Sequence, residues 1–457
     1  MSTTLLWFRR DLRLGDQPAL HAALAAGNDV LPVFVLDPRL LTTGGVRTQR
    51  LCSSLPGLRD ATRGALLIRH GDPAEVIPRL AREVGAAEVH VTAETTPYGR
   101  RRDARVDAGL AADGRRLVAT GSPYAIDPGD VFTRAGTPYQ VFTPFSRAWR
   151  EHGFPAPSGI PEELPWHRPA GEVDALERWH RFLDEDLEGY AASRDRPDLD
   201  STSRMSEHLK YGEIHPRTML ADLAGHPAAT GPGAQRFITE LCWREFYADQ
   251  VWHRPRSVWR DLRDDLARMA YDSGAGVDRL VAAWREGKTG YPLVDAGMRQ
   301  LIAEGWMHNR VRMVTASFLV KDLHVWWPVG ARHFLDHLVD GDLASNSQGW
   351  QWVAGTGSDA SPYFRVFHPV TQARRFDPVG DYVRRWVPEL RHLEGPTVHE
   401  PWRSGDGYDH GYPQPIVDHD HERREAVDRY RQARIHAVQQ YAHGSQGRDV
   451  RLLRPFT

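Results

Sequence analysis

The segment from Asp340 to Trp352, DGDLASNSQGWQW, places two acids, an amide and two tryptophans within a short stretch. Paired acids suit a hard cation, so metal binding is the first chemistry to consider. Against a metal site, the residues that follow are indoles and glycines rather than further oxygen ligands. On a helix Trp350 and Trp352 lie on different faces, so we expect one to face the interior and the other a cavity.

A second group of polar and aromatic residues lies in TELCWREFY. Glu240, Trp243, Arg244 and Tyr247 are spaced by three and four residues, so they share one face of a helix. An acid, an indole and a guanidinium do not form a core stripe. The segment alone also fits a helix at a domain boundary with a solvated ion pair.

A third group lies in GWMHNRVRM, where Asn309, Arg312 and Met313 share a helical face and Trp306 lies one turn earlier. His308 is a candidate general base. Because no nucleophile or carboxylate partner is visible nearby, a structurally satisfied histidine is the favoured interpretation.

The hydroxyls of STSRMS, residues 201–206, precede the helical segment SEHLKYG. Such residues usually cap a helix, and Glu207 would stabilise its first turn. Exposed amides at a helix N-terminus also bind phosphate, but these residues alone favour capping.

The groups above need a scaffold that holds them in place. In the N-terminal quarter of the chain, the sequence pattern predicts a parallel α/β sheet. Short apolar runs of strand length alternate with Ala/Leu/Arg segments of helical period such as PALHAALAAG. The predicted strands are residues 3–8, 30–37, 64–71, 87–94 and 115–122.

Beyond the strands, the sequence predicts three parts: a Rossmann-like α/β domain over residues 1–125, a linker over 126–195 and an all-helical domain over 196–457. The linker is rich in proline and poor in strand patterns, as in FPAPSGIPEELPWHRP. The Gly-Asp-Pro turn at Gly71 to Pro73 predicts a helix start, because proline suits the first turn.

Composition bounds the class of protein. The 457 residues are 41% apolar and 26% charged, with a formal net charge of -2, so any DNA contact requires a local arginine patch. Only Cys52 and Cys242 are present, which excludes a disulfide framework, and both are expected to be small core residues. The apolar start is too short for a signal peptide or a membrane span, so we expect a cytoplasmic protein. We also expect a monomer without an obligate protein partner.

Taken in order, the motifs resemble those of the DNA photolyase and cryptochrome family, especially photolyases of the class I cyclobutane pyrimidine dimer type. The resemblance covers essentially the whole chain: WFRRDLRLGDQPAL, VFTPFSRAW, STSRMS, ELCWREFY, KTGYPLVDAGMRQL, GWMHNRVRM, DGDLASN, and GWQW followed by DASPYF. It implies light-driven repair of DNA, in which reduced FAD excited by light donates an electron to a dimer taken out of the base stack. The extrusion of the base is a behaviour the family is known for.

The resemblance also implies residue roles. The FAD contacts would be Tyr190, Thr202, Ser203, Arg204, Met205, Ser206, Arg244, Arg312, Asp340, Asp342 and Asn346, with the Asn346 amide facing a flavin ring nitrogen. The dimer would meet Glu240, Trp243, Asn309, Met313 and Trp352 as catalytic residues. DNA around the lesion would contact Arg194, Arg310 and Gln372, as well as Glu240, Trp243 and Asn309. WMHNRVRM matches the cyclobutane type rather than the (6-4) type, which has histidines here.

The family reduces its flavin through three tryptophans, and Trp350 and Trp327 match the inner and middle members. The outer member is missing from MAYDSGAGVDRLVAAW, before Trp284. Two alternatives stay open: Tyr271 or another aromatic residue replaces it, or the route is weak.

For a second, antenna chromophore, AETTPYGRRRD lacks the Asn-Glu pair of pterin-binding relatives, because Tyr98 and Gly99 occupy those positions. The resemblance favours 8-hydroxy-deazaflavin over methenyltetrahydrofolate, with contacts from Arg47, Glu94 and Lys210; an empty or FMN-filled site stays open. The alternative function is a cryptochrome-type blue-light receptor. Cryptochromes often add a long tail, and here the chain stops at Thr457, soon after the family's closing helix, which favours repair.

Overall fold

The computed structural model describes residues 3–27, 29–41, 45–266, 269–358 and 364–444, with side chains described up to residue 435. The chain forms two compact units. The first comprises Met1–Val258, Gln300–His308 and Arg332–Ser347, and the second comprises Trp259–Arg299, Asn309–Ala331 and Gln348–Thr457. The predicted domain boundaries at residues 125 and 195 stay a prediction.

A five-stranded parallel sheet forms the N-terminal part of the first unit, in the order β3-β2-β1-β4-β5. This confirms the predicted fold class. The strands are β1 (Thr3–Phe8), β2 (Asp29–Leu36), β3 (Leu67–His70), β4 (Glu88–Val91) and β5 (Arg116–Ala119).

Successive side chains of a strand point to opposite faces of the sheet, and apolar ones are buried on both faces. Helices therefore cover both faces. Leu6 and Phe8 of β1 pack with helices α1 and α3 on one face. Leu5 and Trp7 pack with helices α4 and α5 on the other. In the sheet region the helices are α1 (Pro18–Ala26), α2 (Pro38–Leu41), α3 (Val46–Ala61), α4 (Pro73–Glu83) and α5 (Pro97–Ala111).

The predicted start of α4 is confirmed: Pro73 opens the helix and the Asp72 carboxylate accepts from the Ala74 amide at 3.0 Å. Both cysteines were expected to be small core residues, and this is correct for Cys242 and wrong for Cys52. Cys242 is buried in the aromatic core, but Cys52 is exposed, because it lies on the outward side of α3.

The predicted linker contains three helices, and the chain is helical after it. Side chains of the linker helices pack with later helices in an aromatic core that includes Phe145, Trp149, Trp179, Phe182 and Phe246. In chain order the helices are α6 (Phe142–His152), α7 (Ala170–Glu185), α8 (Tyr190–Ser193), α9 (Ser206–Tyr211), α10 (Pro216–Gly225), α11 (Pro232–His253), α12 (Ala275–Arg285), α13 (Pro292–Glu304), α14 (Asn309–Ser317), α15 (Trp327–His337), α16 (Leu343–Ala354), α17 (Pro369–Phe376), α18 (Asp381–Trp386) and α19 (His419–Gly444).

Short helical turns fill several connections. A π-helical turn, Phe318–Asp322, extends α14, and 3-10 turns occur at Pro255–Val258, Asp264–Leu266, Pro388–Leu390, Gly395–His399 and Pro401–Arg403. None of the described helices is both long and apolar enough to cross a bilayer.

Candidate functional site

The hydroxyl-rich stretch before α9 does not cap that helix. No side chain caps α9, and the closest approach is the Ser203 hydroxyl, which accepts from the Met205 amide at 3.4 Å. The Ser201 hydroxyl is buried and meets no partner among the described residues. Because a buried hydroxyl costs free energy unless it is hydrogen-bonded, the stretch suits a polar ligand better than it suits capping.

The backbone of this stretch is unusual at Arg204, which has a φ of 51°. Its guanidinium lies 4.3 Å from the ring centre of Trp306 and 3.1 Å from the Asp200 carboxylate. The Met205 side chain is buried in the aromatic core. Arg204 and Met205 therefore offer a ligand their main chain rather than their side chains.

Ser206 turns toward the segment that contains the paired acids. Its hydroxyl donates to the Asp340 carboxylate at 2.7 Å. The structure thus brings together two predicted cofactor residues that are far apart in the sequence.

Asp342 is held by cations from another part of the first unit. The Arg10 guanidinium donates to its carboxylate at 2.9 Å, and the Ser345 amide donates to the other oxygen at 2.9 Å, so Asp342 also caps α16. Burial opposes ionisation, but the charges of Arg10, Lys210 and Arg244 outweigh it and hold the pKa of Asp342 well below its usual range. An acid engaged in this way is a poor metal ligand.

Asn346 follows in the first turn of α16, where its backbone amide donates to the Asp342 backbone carbonyl at 2.9 Å. Its side chain is half-buried. The cap formed by Asp342 therefore fixes where the Asn346 side chain begins.

Helix α11 contains the predicted acid, indole and guanidinium face. Glu240 accepts from Arg194, which follows α8, and Arg236 lies 3.3 Å from the same carboxylate. Arg194 and Glu240 are thus partners within one predicted DNA-contacting group. The Tyr190 ring, on α8, packs against Phe182 and Phe237.

Trp243 stacks face to face on Phe142, with ring centres 3.6 Å apart and planes 6° from parallel. It is half-buried, so part of the indole stays accessible. Arg244 donates to the Pro123 carbonyl at 2.9 Å and lies over Tyr124 at 4.4 Å. The face is thus neither a core stripe nor a solvated boundary.

His308 is buried with its ring edge toward Trp306, at 6.2 Å between ring centres, which agrees with a structural histidine.

The second unit contains the other predicted dimer and DNA residues. Asn309 begins α14 and is exposed, while Met313 one turn later is half-buried, as is Trp352 on α16. The predicted residues Arg310, Arg312 and Gln372 are half-buried, and the Arg310 guanidinium lies 4.5 Å from the Phe376 ring. Asp359–Tyr363 of the DASPYF motif lie outside the described residues.

Trp350 and Trp327 are both buried in the second unit. The Trp350 ring packs against Gly330, where an added Cβ would lie 2.2 Å from ring atom Cη2. Its other neighbour is Trp284, at 6.2 Å between ring centres. Trp350 is therefore interior and Trp352 half-buried, so the two differ in environment; the cavity expected at Trp352 stays a prediction.

A cluster of charges surrounds Arg10 in the first unit. The Glu94 carboxylate lies 3.6 Å from Arg10 and accepts from the Thr95 and Thr96 amides at 2.9 and 3.2 Å. Burial opposes ionisation, but Arg10, Arg102 and Arg9 lower the pKa of Glu94 to about 2. Gly99 makes room for this acid, because an added Cβ would lie 1.7 Å from Glu94 Cγ.

Lys210 belongs to the same cluster. Burial and then the charge of Arg10 lower its pKa to about 7. Neither Lys210 nor Arg47 forms an ion pair with any described residue. The predicted antenna residues therefore include two half-buried cations whose charge a ligand would balance.

Arg10, Asp261 and Trp326 were not singled out from the sequence. Arg10 contacts two predicted site residues, Glu94 and Asp342, and Asp261 accepts from the predicted electron-transfer residue Trp327 at 2.8 Å. The partners are far apart in the chain, so no local pattern links them. For Trp326, the signal in the sequence was its position directly before Trp327, a predicted electron-transfer residue.

Two family models match the chain, and together they describe a two-part flavoprotein. Residues 4–162 match "DNA photolyase" and residues 237–432 match "FAD binding domain of DNA photolyase". The deoxyribodipyrimidine photo-lyase of Streptomyces griseus is 39% identical, covering 92% of this chain and 97% of that protein, and the one of Escherichia coli is 38% identical, covering 95% and 99%. The chain belongs to the DNA photolyase family.

Solved structures of three relatives agree with the fold. A class III photolyase from Agrobacterium tumefaciens gives a TM-score of 0.88 at 35% identity, covering 95% of this chain and 98% of that one. A Synechocystis cryptochrome gives 0.85 at 27%, covering 94% and 99%. An archaeal photolyase from Sulfolobus tokodaii, described with two FAD molecules, gives 0.82 at 29%, covering 94% and 100%.

Proposed function

We propose that this protein repairs cyclobutane pyrimidine dimers in DNA with light, as a deoxyribodipyrimidine photo-lyase that binds FAD. The observation that supports this most directly is similarity over nearly the full length to relatives named for that activity, combined with the predicted site residues at matching motif positions. A location in the cytoplasm and a monomeric state stay predictions.

The residues around Ser201 fit FAD. A buried hydroxyl without a described partner, the pair of Ser206 with Asp340 and the main chain at Arg204 provide polar groups for a phosphate or a ribityl chain. Arg244 and Asp342 contribute charge of both signs in the same unit. When bound, reduced FAD supplies the electron that splits the cyclobutane ring.

The face of α11 is the proposed surface for the extruded dimer. Trp243 provides an apolar wall, held in place by its stack on Phe142. Glu240 accepts hydrogen bonds from the pyrimidine edge, and its pair with Arg194 orients that carboxylate. In the second unit, Asn309, Met313 and Trp352 supply an amide, an apolar contact and a second indole.

Basic residues position the DNA around the lesion. Arg194 and Arg310, with Gln372, contact the phosphate backbone, which sets register and adds no base specificity. Because the formal net charge of the chain is -2, these local contacts account for binding instead of a global field.

An antenna chromophore binds at the cluster formed by Arg10, Arg47, Glu94 and Lys210. The cations suit an acidic chromophore, and 8-hydroxy-deazaflavin is favoured over methenyltetrahydrofolate because Tyr98 and Gly99 replace the pterin-binding pair. Replacing Gly99 with Ala would push Glu94 out of place, so G99A protein should lose the second pigment and keep FAD. Pigment spectra of G99A and wild-type protein after gel filtration test this assignment.

The test of the function is illumination of purified protein with DNA that contains thymine dimers. Restored thymine absorbance under blue light, and none in the dark, is the expected result. A cryptochrome-type receptor would bind FAD and respond to light without restoring the absorbance, and a flavin oxidoreductase would turn over in the dark.

A further inference from the structure

Two adjacent tryptophans at the start of α15 share one carboxylate. The Trp327 indole N–H donates to Asp261 Oδ1 at 2.8 Å, and the Trp326 indole N–H points to Asp261 Oδ2 at 3.3 Å. Trp327 is fully buried, whereas 38% of Trp326 is exposed. The pair therefore connects the interior of the second unit to solvent.

We propose that Trp326 is the terminal electron donor of this protein and takes the place of the missing outer tryptophan. The proposal rests on the proposed inner route, from Trp327 to Trp350. It adds the step by which the oxidised chain is discharged at the surface.

Contacts inside the second unit support a continuous route. Trp350 packs against Gly330, which lies one helical turn after Trp327 on α15. A glycine at this position lets the Trp350 ring approach the helix backbone. Trp326 and Trp327 are neighbours in the chain, and one carboxylate holds both indole nitrogens.

The two aromatic residues nearest the missing position, Trp284 and Tyr271, lack a way to release charge. Trp284 borders Trp350, but it is fully buried and its N–H donates to the Thr315 carbonyl at 3.0 Å. The Tyr271 hydroxyl is buried and has no hydrogen-bond acceptor among the described residues. Burial and the charge of Asp261 raise the pKa of Tyr271, and a phenol gives up an electron readily only when its proton can leave with it.

Electrons and protons balance along the chain's own residues. When bound, oxidised FAD would supply the light-excited electron acceptor; Trp350 would give up one electron, Trp327 would replace it, and Trp326 would replace the electron lost by Trp327. The indole N–H proton of Trp326 passes to the Asp261 carboxylate, which leaves a neutral tryptophan radical. A thiol in solution then supplies one electron, and the proton returns from Asp261 to the indole nitrogen.

Asp261 is the positioning residue of this step. Its negative charge favours an oxidised indole at either neighbour, because opposite charges attract strongly at hydrogen-bond distance away from bulk water. D261N would keep an oxygen acceptor for one indole while removing both the charge and the proton acceptor.

The experiment compares FAD-loaded wild-type, W326F, Y271F and W386F proteins under blue light with a thiol donor, and follows the flavin absorbance. Trp386 is also a half-buried tryptophan of the second unit, which makes W386F the matched control. We expect a several-fold lower photoreduction yield in W326F only. Transient absorption should show a neutral tryptophan radical in wild-type protein, and D261N should delay its appearance.

A nitroso spin trap during illumination, followed by peptide mass spectrometry, gives a readout independent of flavin absorbance and should label Trp326. Unchanged photoreduction in W326F, or labelling at Tyr271 instead, would overturn the proposal. W350F and W327F separate the two levels: if they also photoreduce normally, the inner route is wrong, and if only W326F does, the surface step alone is wrong.

Discussion

The Arg194 guanidinium is paired with the Glu240 carboxylate, which ties the residue after α8 to the central turn of α11. Both residues belong to the proposed DNA surface, so neither acts alone. Removing the acid leaves Arg194 with only the more distant Asp195, at 3.5 Å, so its guanidinium can turn to phosphate. Removing the cation leaves the half-buried Glu240 with Arg236 as its remaining cation, at 3.3 Å.

Replacing Glu240 with Gln should reduce the preference for dimer-containing over undamaged DNA. The freed Arg194 gains a phosphate, so binding to undamaged duplex becomes more salt-dependent, with a slope steeper by roughly 0.9 per added contact. Titrations of both duplexes across a salt series measure this. E177Q, at an exposed acid of α7, is the control, and an unchanged slope in E240Q would contradict the pairing.

Replacing Trp243 separates its two roles. W243A loses the stack on Phe142 and should destabilise the protein by about 3 kcal/mol, in the range for large aromatic residues. W243F keeps a ring against Phe142 and should stay within about 1 kcal/mol of wild type while binding dimer DNA more weakly. Urea denaturation and dimer-DNA titrations provide the two readouts, and loss of FAD from W243F would show that this helix face is misassigned.

Replacing Asp340 with Asn should weaken FAD retention. The Ser206 hydroxyl can still donate to the new carbonyl oxygen, so the loss reports the charge of Asp340, and hydrogen bonds to charged groups contribute roughly 1.5–3 kcal/mol. The flavin-to-protein ratio after gel filtration measures it. S53A, at an exposed serine of α3, is the control, and full retention in D340N would remove Asp340 from the cofactor site.

Lys210 should make stability depend on pH. Its pKa of about 7 lies below the unfolded value near 10.4, so between these pH values the unfolded chain binds more protons and stability rises with pH. K210M should remove part of that rise, on the order of 1 to 3 kcal/mol between pH 7 and about 10. Urea denaturation midpoints at several pH values measure this change in stability, and K288M, at an exposed lysine, is the control. If stability rises with pH as much in K210M as in wild type, Lys210 is not a buried, poorly compensated cation.

Elements with local signals were predictable from the sequence. Residues 3–8 form β1 as expected, and Asp72 with Pro73 opens α4 because both act through the nearest backbone. For the hydroxyls of residues 201–206, capping was the wrong local interpretation, and their role in binding a cofactor stays a prediction. Their alternative partner, Asp340, is 134 residues from Ser206.

The remaining parts depend on contacts between distant segments. The three helices within the predicted linker were missed because proline and glycine obscured their periodicity. Asp261 is 65 residues from Trp326 and Arg194 is 46 from Glu240, so side-chain pairing of this kind follows from the folded chain alone.

On the proposed antenna assignment, Gly99 limits how one class of light-harvesting pigment could be exchanged for another. Any side chain there must displace Glu94, and Arg10 and Arg102 would then lose a neighbouring counter-charge. Grafting the two residues of a pterin-type pocket onto positions 98 and 99 would therefore disturb the ionic arrangement that also reaches Asp342. We therefore expect a change of pigment class to need coordinated substitutions across several segments, and a two-residue swap alone to leave the proposed antenna site empty.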